Sequence, residues 1–74
     1  MKKIIDWNAE AKRARGMTDV ELQFARSDAY ETAKLWNDPA TDTDGNHSFY
    51  MDQVSVYAKE QTKRRKGKKA AAGN

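Results

Sequence analysis

Cysteine is missing from the 74 residues altogether, and histidine and proline occur once each, as His47 and Pro39. The first absence excludes disulfides and thiolate metal sites, and a single imidazole does not assemble a zinc site. A chain this short buries proportionally little surface, so its fold must hold by packing, capping and charge, without a covalent staple. Glycine is sparse, and no glycine-rich phosphate loop is present. Ser27, Ser48 and Ser55 have no base and orienting group at a recognisable spacing, which leaves nucleophilic catalysis without a framework. No enzyme activity and no cofactor are expected. Long apolar runs are missing too. Residues 1–6 hold only Ile4 and Ile5 in succession, short of a signal-peptide core, and nothing approaches the roughly 20 apolar residues of a membrane span. The expectation is a soluble protein of the cytoplasm that does not engage a membrane.

What the sequence has in quantity is charge, unevenly placed. Residues 1–16 carry a net +3, residues 17–62 a net −6 and residues 63–74 a net +6. Two basic ends around an acidic middle argue for separate roles, because exposed charges act over about 8 Å in physiological salt.

The strongest structural signal is Thr18 followed three residues later by Glu21, a capping box in which hydroxyl and carboxylate each satisfy a backbone amide of the other residue. It predicts a helix over about 19–37, with Leu22, Ala25, Ala29, Ala33 and Trp36 on one face. Asp38-Pro39 stops it, since the residue before proline is pushed out of helical geometry. A second helix is predicted over about 48–63, with Ser48 as N-cap and Tyr50, Val54, Tyr57 and Ala58 facing the first. The fold class is therefore all-α: an antiparallel helical hairpin forming an acidic domain over 17–63, with an N-terminal basic and apolar segment over 1–16 and a flexible basic tail over 64–74. Gly16 would be the joint before the capping box. The N-terminal segment has two outcomes: a short helix packing Ile4, Trp7 and Ala11 on the hairpin, or an apolar patch held open for a partner.

The loop 41-TDTDGNHSFYMD-52 imitates a calcium loop. With Gly45 at the sixth position, Asp42 and Asp44 fall at the third and fifth, but Ala40 and Met51 occupy the first and last ligand positions. No metal site is expected, and the aspartates read as turn formers on an acidic surface. His47 reads as a surface or capping side chain.

Two surfaces are the candidates for function. Ile4, Ile5, Trp7, Asp19, Glu21, Asp28 and Glu31 are the expected protein interface, with acids that would draw a basic patch. Lys63, Arg64, Arg65, Lys66, Lys68 and Lys69 are the expected contact to RNA or DNA through phosphate charge. The stretches 17-MTDVELQFARSDAYETAKLWNDP-39 and 49-FYMDQVSVYAKEQTKRRK-66 resemble a group of short bacteriophage-encoded helical proteins, of the kind represented by the RNA polymerase-binding transcription regulator of a Xanthomonas phage. The resemblance implies a non-enzymatic protein in the cytoplasm of a bacterial host. It would dock on host RNA polymerase near the N-terminus of the β′ subunit, block initiation by displacing sigma factor, and let elongating polymerase pass terminators. Two other readings are a nucleic-acid-binding or packaging accessory acting through the basic tail, and an acidic DNA mimic that inhibits a bacterial defence complex.

Overall fold

The computed structural model describes the backbone of residues 3–72 and the side chains of residues 3–67. Among these residues the chain is all-helical: α1 (Trp7–Arg15), α2 (Asp19–Leu35) and α3 (Asn46–Ala72). The capping box forms as the sequence predicts. The Glu21 amide donates to Thr18 Oγ1 at 3.1 Å and the Thr18 amide to Glu21 Oε1 at 2.8 Å, which starts α2 one residue after Thr18. These bonds favour the ionised carboxyl, and the Thr18 amide chiefly holds Glu21 below the usual carboxylate range. α2 ends at Leu35, two residues before the predicted end.

Side-chain bonds between helices fix their directions. His47 meets Ala33, Gln61 meets Arg26 and Gln23, and Arg64 meets Asp19, so α3 runs antiparallel to α2 as expected. Glu10 meets Gln53 and Tyr57, and Arg64 meets Ala14, so α1 runs in the same direction as α3. α3 is thus the central element, with α2 on one side and α1 on another. The small residues Ala29 and Ala33, buried with Leu22, let α2 approach α3 closely. Leu22 is fully buried, a contribution of about 2 kcal/mol from apolar transfer alone.

The start of α3 differs from the prediction. The helix begins at Asn46, and Ser48 is an exposed residue inside its first turn. The cap comes from Asp42, whose two carboxylate oxygens accept from the Asn46 and His47 amides at 2.8 Å each. Gly45 lies between them at φ 71°, the left-handed geometry that a side chain would strain, and this lets the carboxylate fold back onto the helix end. Gly16 plays no such part: its φ is −82°, so the joint between α1 and α2 does not draw on glycine's freedom.

The N-terminal segment resolves in favour of packing in cis, with a different residue inward. Asp6 caps α1 by accepting from the Ala9 amide at 3.1 Å. Ile5 enters the core at 6% exposure with Ala14, while Ile4 stays at 87% and Trp7 at 49%. The inward face of α3 is also rotated from the predicted one. Phe49, Gln53, Val56, Glu60 and Arg64 step by three and four residues along the side that meets α1, and Val56 and Tyr57 are buried where Tyr50 and Ala58 are only partly so. Trp36, placed in the core by periodicity, is exposed at 38% because α2 has ended before it. At the other end α3 runs past Lys63 and takes residues 64–72 into the helix. The expected disorder of the tail's end falls on residues 68–74, whose side chains lie outside the described residues.

Candidate functional site

The residues expected at the two surfaces do not separate cleanly, since Asp19 of the first set pairs with Arg64 of the second at 2.9 Å. The face of α2 turned away from α3 carries Val20, Phe24 and Leu35, exposed at 65%, 72% and 80%. Their spacing, together with Ser27, Asp28 and Glu31 between them, follows the four-and-three step of one helical stripe, opposite the buried stripe of Leu22, Ala29 and Ala33. α2 therefore also carries exposed apolar side chains on the face opposite the one that the fold buries. A shallow depression lined by Phe24, Ala25, Ser27, Asp28 and Glu31 lies at the centre of the outer face. Glu31 faces Lys34 at 3.4 Å, and the same ammonium lies 5.2 Å from the centre of the Tyr30 ring. Both pairs are solvent-exposed and contribute little to stability.

Of the residues expected at the protein interface, Asp28 and Glu31 lie on this outer face and Ile4 and Trp7 are exposed on the N-terminal segment. The other three have positions inside the fold. Ile5 is buried, Glu21 closes the capping box, and Asp19 pairs with Arg64 at 2.9 Å. Sequence reasoning missed Val20, Phe24 and Leu35. Their signal was available as a second apolar stripe on α2, but the buried stripe beside it accounted for the amphipathic pattern.

The basic run divides by helical position. Arg64 turns inward, with its side chain 21% exposed. Its Nη2 donates to the carbonyls of Ala14 at 3.1 Å and Met17 at 2.7 Å, its Nη1 to Asp19 at 2.9 Å, and its Nε to Glu60 at 2.9 Å. The guanidinium thereby caps the C-terminus of α1, where helix carbonyls lack partners and a cation is favoured. The bonds to Asp19 and then Glu60 hold its pKa above even the ordinary arginine value. Arg65 turns toward α2, where it lines a cavity of about 320 Å³ with Arg26 and the Gln23–Gln61 pair. Lys63 and Lys66 point along the remaining side of α3, exposed. Lys68 and Lys69 lie outside the residues whose side chains are described.

Three further polar groups have structural positions. Asp42 gives both oxygens to the start of α3, and the His47 amide chiefly holds its carboxyl below the usual range. His47 Nδ1 lies 2.9 Å from the Ala33 carbonyl, and since a carbonyl only accepts, that nitrogen carries the proton. Tyr57 donates to Glu10 at 3.2 Å, and its hydroxyl pKa is raised by burial first and by the Glu10 charge second. Among the described residues no three His, Cys, Asp or Glu side chains converge as a metal cage, and no helix is long and apolar enough to cross a membrane. No protein-family model, no curated protein and no solved structure matches the chain. Its functional reading therefore rests on its own surfaces.

Proposed function

We propose that the chain is a non-enzymatic regulator that works by binding a protein, and that the outward face of α2 is the surface it uses. The observation that carries this reading is the stripe of Val20, Phe24 and Leu35, three large apolar side chains exposed along one helix face with Asp28 and Glu31 among them. Apolar stripes of this kind are costly to leave in water and mark interaction sites. The acids set the partner's chemistry: an apolar groove or helix rimmed by Lys and Arg. A second copy of the chain fits less well, because two such stripes facing each other would bring Asp28 and Glu31 of each copy near those of the other. Host RNA polymerase is the partner that the phage-protein resemblance suggests, with inhibition of initiation, antitermination or both as the outcome.

Purified bacterial core RNA polymerase and the immobilised chain provide the test. Binding at micromolar or tighter affinity is expected, with Phe24→Ser and Leu35→Ser together weakening it by roughly 30-fold or more, the scale of losing one interface anchor. Both side chains are solvent-exposed, so the variant keeps the fold. No binding to core polymerase removes the named partner, and binding indifferent to the paired substitution removes the α2 face.

A further inference from the structure

The cations at the two ends of the sequence, far apart along the chain, share a groove in the fold. α1 and α3 together form a channel lined by Ala11, Ala14, Arg15, Val56, Lys59 and Lys63. It shares Lys59 and Lys63 with a second depression on α3 that also holds Thr62 and Lys66. Among the described residues, Arg15, Lys59, Lys63 and Lys66 are exposed and make no ion pair. The acid in the channel, Glu60, is turned to Arg64 at 2.9 Å, so it does not neutralise the lysines beside it.

We propose that this folded groove is a binding site for the backbone of duplex DNA. It is separate from the α2 face and independent of that face's partner. Lys59, Lys63 and Lys66 recur at the four-and-three spacing of one helical stripe. They rise about 10 Å along α3, close to three base-pair steps of a duplex at about 3.4 Å each. Arg15 extends the row from the facing wall of the channel. The lining residues include no aromatic ring, so there is no platform for stacking unpaired bases, and no Asn or Gln is placed to read base edges. The chemistry left is phosphate contact by four unpaired cations, which selects an intact duplex backbone without selecting sequence. Their freedom from ion pairs matters, because each can release a phosphate counterion without first breaking a protein contact.

Fluorescence anisotropy with the full chain, a labelled mixed-sequence DNA duplex and the corresponding single strand tests the proposal. The duplex is expected to bind more tightly than the single strand, with log K falling linearly in log salt at a slope of about −3.6, the value for four phosphate contacts. Lys59→Gln with Lys63→Gln should weaken duplex binding about tenfold and flatten that slope by about 2. Arg15→Gln, on the other helix, should act in the same direction. Lys34→Glu, which removes the same net charge from α2, should leave affinity and slope unchanged. Lys68→Ala with Lys69→Ala should keep most of the binding. The proposal is overturned if the groove variants bind as wild type, if Lys34→Glu weakens binding as much, if the tail variant abolishes it, if the single strand binds more tightly, or if no binding occurs at low salt.

Discussion

At the scale of single residues, Arg64 bridges the helices, although its sequence setting, KRRKGKK, reads as a solvated basic run. The planar guanidinium reaches the carbonyls that end α1 and the carboxylates of Asp19 and Glu60 at once. It joins all three helices with one side chain. A lysine keeps the charge but not the fan of donors. Arg64→Lys should therefore lower the melting temperature by several degrees and reduce hydrogen-exchange protection in α1 before the rest of the chain. Lys63→Gln, one residue earlier and exposed, should change neither. Equal effects of the two substitutions would return Arg64 to the role of a tail residue. Ile4 and Ile5 teach a related point. The two are chemically identical neighbours, and only the approach of α1 to α3 decides that Ile5 is the one covered.

At the scale of helices, what could be read from sequence is what is local. The capping box needs only Thr18 and Glu21, and both its bonds are present. The buried face of α2 was equally readable, because Leu22, Ala25, Ala29 and Ala33 step by three and four residues along one apolar stripe. The inward side of α3 was not readable, since Gln53, Glu60 and Arg64 lie on it and make it resemble a solvent face. The partners of Gln53 and Arg64, Glu10 and the carbonyls of α1, come from more than forty residues away in sequence. The start of α3 was hidden for another reason: Ser48 is a good cap by type, but Asp42 reaches the helix end first through the left-handed Gly45. This geometry gives the element a pH dependence whose sign is fixed. The Asp42 carboxyl titrates below its ordinary value in the folded chain, so the unfolded chain binds more protons as pH drops below about 4. The stabilisation is present above that value and is lost as pH falls through the folded-state pKa. Glu21 adds in the same direction at the start of α2. Far-UV circular dichroism across the acid range should show helix loss in this window. Asp42→Asn should be less stable than wild type at neutral pH and should show a shallower acid transition. An unchanged acid profile in that variant would mean that the cap carries no linked proton.

At the scale of the whole molecule, the fold sorts charge and apolar surface by side. α3 at the centre separates the acidic, apolar outer face of α2 from the basic groove shared with α1. A net charge of +3 describes neither side. Sequence order had suggested an acidic middle and a basic tail. The structure exposes Val20, Phe24 and Leu35 on the outer face of α2 and brings Arg15 and Lys59 to the same side as Lys63 and Lys66. On the proposed reading, one side of the chain holds a protein while the other is left free for a polyanion. Site-specific photocrosslinking tests this division most directly, with a photoreactive phenylalanine analogue placed at position 24 or position 63 and purified core RNA polymerase as the target. This division predicts a crosslink to a large polymerase subunit from position 24 and none to protein from position 63. A crosslink from position 63 with none from position 24 would contradict it.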